Sequence, residues 1–402
     1  MGELESLFAP EAIAVIGATD REGSVGRAIF ENLGREFTGE VVPVNPGRET
    51  VLGQRCYPSV TAGPPVDLAV IVLPTDAVVD ALEEAAEAGV RQVVVITAGF
   101  SETGSDGAAR ERRLRAVAAE YDLNVVGPNS LGVMSTPVGM NASFGPDSPL
   151  EGSISFMSQS GAFITAVLDW ANDQGIGFRH VVSLGNKAVI DETDLISEWG
   201  ADSETDVIVG YLESIDDGEA FLEVASEVTS ETPIVLVKSG RTDAGAHAAS
   251  SHTGAMAGSE RAYEAGLEQA GVIRAHSVQE LFDYSRALSG LPLPDTDGVA
   301  VVTNAGGPGV LTTDAVGDSR LSMASFTDGT VENLEAAMPP EANVNNPIDA
   351  IGDADVERFT EALDVALEDP NVGSAVVVSA PTAVLEYDRL AEAVSASRDR
   401  HA

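Results

Sequence analysis

"AIAVIGATDREGSVG", residues 12–26, sets an apolar run against Gly17 and ends at Gly26, where a helical pattern begins. A continuous apolar run of about four to eight residues fits a strand buried on both faces. The glycine after it lets a ligand's backbone come close, and phosphate can sit on the amides that open the next helix. Similar runs recur at 41–46 (VVPVNP), 68–74 (LAVIVLP), 92–100 (QVVVITAGF) and 124–130 (NVVGPNS). Amphipathic stretches such as 77–90 and 107–121 separate them. That alternation predicts a parallel sheet covered on both faces, a doubly wound α/β domain over residues 1–132.

Downstream, residues 133–150 (VMSTPVGMNASFGPDSPL) lose periodicity and collect Pro, Gly and Ser, which predicts a linker. A second α/β pattern, within residues 133–292, runs through SISFMSQSGAF, FRHVVSLGN, DVIVGYLES and TPIVLVKSG to a long helix ending near Gly290. LPLPDTDG, residues 291–298, breaks any regular element, and a third unit over 297–402 starts with VAVVTNAGGPGV. Three similar α/β units are expected, without a strict internal repeat.

The 402 residues carry 22 basic and 64 acidic side chains, a formal net charge of −42, and only two lysines, Lys187 and Lys238. Such a field disfavours nucleic acid and anionic membrane as partners, because phosphate binding needs cations to release counterions. Acidic, lysine-poor surfaces suit molar salt, where the screening length falls to about 3 Å; a halophile's soluble protein is the expectation. Cys56 is the one cysteine, so no intramolecular disulfide forms. Apolar runs fall far short of the roughly 20 residues of a membrane span, and the acidic start is no signal peptide. A cytoplasmic location follows as an expectation.

Ligands of a parallel sheet gather at the carboxyl ends of its strands. Gly17, Ala18, Thr19, Ser24 and Gly26 occupy the first such end, without the G-x-G-x-x-G fingerprint; Asn45 stands where a dinucleotide site would carry an acid. Ser158, Gln159, Ser160, Gly161 and Ala162 form a second strand-to-helix turn, where amides and a positive helix end favour an anion. Residues 240–259 (GRTDAGAHAASSHTGAMAGS) place His247 and His252 among very small side chains. Neither a core histidine nor a zinc site fits there. An incidental loop histidine and a nucleophile that a large group must approach both remain open for His252.

Taken together these segments resemble the ADP-forming acyl-CoA synthetases, the acetate–CoA ligases of that type and their relative succinyl-CoA synthetase. SSHTGAMAG resembles the phosphohistidine loop, SQSGAF the phosphate-cradling helix start, and GYLES the strand end bearing a glutamate beside the histidine. GPNSLGV matches a G-P-N-x-x-G segment, with Ser130 where relatives commonly carry Cys. NAGGPGVL and NNPIDAIGDAD look like the third unit of the acetate-type enzymes.

The resemblance implies a Rossmann-like CoA-binding domain followed by two flavodoxin-like, succinyl-CoA synthetase-like parallel-sheet domains. It implies a relay in which acyl-CoA and phosphate give an acyl phosphate, His252 accepts the phosphoryl group with Glu213 beside it, and ADP receives it. Lys238 and Arg241 are candidate counter-charges. Coenzyme A would be lined by Gly17, Ala18, Thr19, Ser24, Gly26, Asn45, Pro46, Leu73, Pro74, Thr97, Ala98, Gly99 and Asn129, with no metal in this chain. Nothing here resembles the ATP-grasp portion for ADP or ATP and Mg, so a partner β subunit or a fused continuation is expected, as are a small carboxylic acid substrate and an oligomer. The chain stops where relatives usually add another strand, which suggests a truncated or divergent short form. A non-catalytic CoA-binding sensor and an NAD-dependent oxidoreductase are the competing readings.

Overall fold

The computed structural model describes residues 4–242, 260–292 and 294–401. The apolar runs do become strands: β1 (Ala12–Ile16), β2 (Glu40–Val44), β5 (Leu68–Ile71), β6 (Gln92–Val95) and β7 (Asn124–Val126), with a small hairpin of β3 (Thr50–Val51) and β4 (Gln54–Arg55) between. They pair in parallel in the order β2-β1-β5-β6-β7. Every residue of β5 and β6 is buried, because helices α2 (Val25–Glu36), α3 (Thr75–Glu87) and α4 (Ser105–Tyr121) cover both faces. Pro43 is tolerated because β2 is an edge strand. The crossovers diverge between β1 and β5, which opens a crevice at their carboxyl ends.

A second sheet has the order β14-β13-β12-β10-β11-β8-β9. Its parallel strands are β10 (Leu150–Ser158), β11 (Gly177–Ser183), β12 (Val207–Leu212), β13 (Ile234–Lys238) and β14 (Ile273–Ala275). Helices α5 (Gly161–Asp173), α6 (Glu192–Gly200), α7 (Gly218–Val228), α8 (Glu260–Gln269) and α9 (Val278–Gly290) follow in chain order.

The expected linker at 133–150 is corrected here. β8 (Gly132–Ser135) and β9 (Met140–Ser143) form a buried antiparallel hairpin, and β8 pairs antiparallel with β11. Pro137 and Gly139, read as linker signals, sit in its turn; Gly139 has φ +63°. Asn32 of α2 donates to the carbonyls of Ser143 and Gly145, both at 2.9 Å. The hairpin is thereby tied to the first sheet. Both sheets lie in one compact unit, Met1–Ser289, and share one core that includes Leu7, Ile13, Val133, Val182 and Trp199.

Gly290–Ala402 forms the other compact unit. Its central strand β15 (Gly298–Thr303) pairs in parallel with β16 (Ser322–Met323), β17 (Ile348–Asp349) and β18 (Ser374–Val378). Helices α10 (Gly306–Gly317), α11 (Asp328–Ala337), α12 (Val356–Leu367) and α13 (Tyr387–His401) complete it. Among the described residues, no helix is long and apolar enough to cross a membrane.

Candidate active site

The first cradle stands at the carboxyl ends of β1, β2, β5 and β6. Gly17 has φ +105°, and a Cβ there would lie 2.2 Å from the Val72 carbonyl oxygen. A Cβ on Gly26 would lie 2.4 Å from the Gly17 carbonyl oxygen, so both glycines are required by close backbone approach. Asn45 donates to Ala18 O at 2.9 Å and accepts from the Gly47 amide at 2.9 Å, which fixes the loop through Pro46. Thr97 Oγ1 donates to Leu73 O at 2.7 Å, and Thr75 Oγ1 donates to Ala98 O at 2.9 Å, linking the loops at Pro74 and Gly99.

Thr19 accepts from the Arg21 amide at 3.3 Å. The Ser24 hydroxyl donates to Arg21 O and does not cap α2, so the helix's opening amides carry no side-chain cap. Asn129, just past β7, is exposed, and its amide donates to Thr97 O at 3.0 Å. These thirteen sequence-selected positions therefore cluster at one end of the first sheet. The uncapped amides that open α2, beside the close approach of Gly17 and Gly26, are the part of this end suited to a phosphate group.

The second site is the turn from β10 into α5. Ser158 Oγ donates to Ser160 O and accepts from the Ser160 amide, at 2.9 and 3.0 Å. Ser160 caps α5 by accepting from the Phe163 amide. Helix α5 starts at Gly161, inside the strand-to-helix turn expected from sequence over residues 158–162. Gln159 Oε1 accepts from the amides of Glu213 and Ser214. The Ser158 turn and the Glu213 turn are thus joined directly, as their adjacent strands β10 and β12 require.

His252 and His247 lie outside the described residues. On the near side, the Ser239 amide donates to Leu212 O at 2.9 Å, so the chain leaves β13 beside Glu213. Lys238 is only 9% exposed; its ammonium lies 4.4 Å from the Tyr263 ring centroid and 2.6 Å from Ser239 O. Burial pulls its pKa below the usual lysine value. Arg241 is exposed.

Sequence reasoning missed three side chains. Lys187, 4% exposed, donates to Glu192 Oε2 at 2.9 Å and to Ser214 O at 3.0 Å. Burial pushes the Glu192 carboxyl up to about 7, against the opposing pull of Lys187. Glu102 accepts from the amides of Gly99 and Phe100. Burial alone would raise the Glu102 pKa, but hydrogen bonds from Asn186 and these amides hold it below the usual value. The scarcity of lysine was the one available signal for Lys187.

In the second compact unit, the turn from β15 into α10 repeats the β10–α5 turn. Thr303 Oγ1 donates to Ala305 O and accepts from the Ala305 amide, both at 3.1 Å. Asn304 reaches the end of the neighbouring strand, accepting from the Ala380 amide at 2.7 Å, and the helix starts at Gly306. Among the described residues, no group of three or more His, Cys, Asp or Glu could hold a metal ion.

Three family models match in series: a CoA binding domain over residues 11–136, a succinyl-CoA ligase like flavodoxin domain over 151–288, and a ligase-CoA domain over 299–398. The chain is 46% identical over 97% of its length to acetate–CoA ligase (ADP-forming) I of Archaeoglobus fulgidus, spanning 57% of that protein. It is 43% identical to the 4-hydroxybutyrate–CoA ligase (ADP-forming) of Nitrosopumilus maritimus, covering 96% of this chain and 56% of that one. The chain therefore spans little more than half the length of these relatives. It covers 86% of the Pyrococcus furiosus acetate–CoA ligase (ADP-forming) I subunit alpha at 42% identity, with 97% of this chain aligned. The structure of Ca. Korarchaeum cryptofilum dinucleotide forming acetyl-coenzyme A synthetase 1, in complex with phosphate and ADP, matches with a TM-score of 0.94 and 38% identity, covering 100% of this chain and 87% of that one.

Proposed function

Because the chain belongs to the family of the ADP-forming acetate–CoA ligases, we propose that it is the alpha-type part of an NDP-forming acyl-CoA synthetase. The reaction interconverts acyl-CoA, ADP and phosphate with free acid, CoA and ATP, through an acyl phosphate and a phosphohistidine. The observation that carries this reading is the direct link between the Ser158 turn and the Glu213 turn through Gln159. A helix start suited to an anion and the turn that carries Glu213 are thereby held side by side.

Residues 1–132 are assigned to coenzyme A, 133–292 to the phosphohistidine chemistry and 297–402 to the second flavodoxin-like ligase domain. Coenzyme A, bound on the Gly17, Asn45, Leu73 and Gly99 loops, would supply the thioester from which the acyl phosphate forms. The amides of Gly161 and Ala162 at the start of α5 would hold phosphate oxygens. The free ring nitrogen of His252 attacks phosphorus, a P–N bond forms, and the P–O bond to the acyl group breaks. The carboxylate leaves with the bonding electron pair. Glu213 accepts a hydrogen bond from the other ring N–H and stabilises the positive phospho-imidazole. ADP or ATP and Mg belong to an ATP-grasp portion, on a partner subunit or a fused segment, which receives the phosphoryl group from His252.

The test is labelling with radioactive acetyl phosphate followed by phosphopeptide mapping. Label on His252, acid-labile, alkali-stable and absent from His252→Ala, is the expected result. Binding of CoA with no label, even with the nucleotide-binding portion supplied, would make the chain a CoA-binding regulatory or sensor module instead. Preference for NADH over CoA in a titration would replace both readings with an oxidoreductase.

A further inference from the structure

Gly185, Asn186 and Lys187 follow β11 and lie against the end of β7. The Asn186 amide donates to Pro128 O and the Ala188 amide to Gly127 O, both at 2.9 Å. Gly185 has φ +58°, and a Cβ on it would meet Pro128 O at 2.2 Å, so the segment cannot carry a side chain at that contact. Lys187 itself has φ +56°, a left-handed conformation that is costly without glycine and persists only when the surroundings fix it. This tripeptide is pinned to the first sheet while belonging to the second.

We infer that Gly185–Lys187 is a shared positioning element: Lys187 holds the turn that carries Glu213, and Asn186 holds the amides at Gly99 and Phe100 through Glu102. What those two turns do rests on the function proposed above.

The Lys187 ammonium divides its three donors between the Glu192 carboxylate, at 2.9 and 3.2 Å, and the Ser214 carbonyl, at 3.0 Å. Gln159 takes the amides of Glu213 and Ser214, so the Glu213 turn is clamped at successive N–H groups and at the next carbonyl. In a chain whose one other lysine is Lys238, a lysine and a glutamate buried together need a reason beyond stability. An apolar pair of similar volume would often stabilise the fold as well or better. What the ion pair supplies is a fixed ammonium direction toward Ser214.

The Asn186 side-chain amide, on the other side, faces Glu102 Oε2 at 2.6 Å, Glu111 Oε2 at 3.0 Å and Ser101 Oγ at 3.2 Å. Glu102 in turn holds the amides of Gly99 and Phe100. One tripeptide therefore reaches a turn assigned to coenzyme A and the turn assigned to phosphohistidine.

The experiment compares the whole chain with Asn186→Ala and with the double variant Lys187→Met/Glu192→Gln, which leaves no buried charge unpaired. Two readouts are taken on each: the Kd of CoA by calorimetry, and the single-turnover rate of label transfer from acetyl phosphate to His252, which needs no CoA. Asn186→Ala should raise the Kd about fivefold or more and affect the labelling rate less. The double variant should slow labelling about tenfold or more and affect the Kd less. Lys187→Arg keeps the charge but lacks the ammonium's three compact donors. It carries the double variant's expectation and stands in if that variant does not fold. Losses that fall equally on both readouts, or that fall the other way round, overturn the inference. A wild-type chain that neither binds CoA nor takes label sinks the functional reading instead, so the two failures are distinct.

Discussion

His180 lies in β11 with its ring centroid 4.4 Å from that of Phe8 and 6.3 Å from that of Trp199. Burial, with the nearby Arg179 charge, pulls its pKa from 6.5 down to about 4, and the pull of Asp202 in the other direction is too weak to compensate. The folded chain therefore keeps this ring neutral where the unfolded chain would protonate it. Between pH 6.5 and pH 4 the unfolded state binds more protons, so the ring's contribution is intact above pH 6.5 and is lost as pH falls toward 4. The full loss is about 3 kcal/mol. Urea unfolding of wild type and His180→Phe across that window should show a steeper acid decline for wild type. Parallel pH profiles would refute the assignment. The two lysines teach a similar lesson, since Lys187 and Lys238 are both buried at 4% and 9% exposure, leaving the accessible basic side chains to arginine and histidine.

Among the described residues, one strand-to-helix turn recurs with the same hydrogen bonds at two places. Ser158-Gln159-Ser160-Gly161 and Thr303-Asn304-Ala305-Gly306 share a hydroxyl that closes on the residue two ahead, and an amide that crosses to the neighbouring strand's end. Register supports the equivalence: Ser158 pairs with Tyr211, two before Glu213, and Thr303 pairs with Val378, two before Ala380. No strict repeat was expected from sequence, and the two turns have only glycine in common: the hydroxyl and the side-chain amide keep their chemical type, but Ala305 stands where Ser160 caps its helix. In Asn304→Leu the Ala380 amide loses its acceptor, at a cost of about 1–3 kcal/mol. Hydrogen exchange at the Ala380 amide should accelerate accordingly. An unchanged exchange rate would mean that the turn does not depend on the amide.

At the scale of the whole molecule, a formal charge of −42 sets the conditions for stability. Among the described residues most ion pairs are partly exposed, and solvent-screened pairs of that kind contribute too little to offset the repulsion of the acidic excess. The screening length is about 10 Å at 0.1 M salt and about 3 Å at 1 M. The melting temperature should therefore rise substantially from dilute buffer to molar KCl. A melting temperature independent of salt would remove the halophilic reading. Coenzyme A binding should also tighten with salt over the same range, because screening weakens the protein's repulsion of a polyanion more than it weakens backbone hydrogen bonds.

The sequence by itself determined the parallel strands and the end of the first two sheets at which the described candidate site residues gather. Those features follow from the spacing of apolar residues over short windows and from the direction in which parallel strands end. Tertiary structure decided the hairpin at Gly132–Ser143, whose strands are recognisable only once β11 offers them an edge. It also decided the role of Lys187. Glu192 is five residues away, but the Ser214 carbonyl is 27 away and comes within reach only when β12 lies in place. Local periodicity records which face of an element is apolar; which polar group is buried, and against what, depends on contacts that chain closure alone brings together.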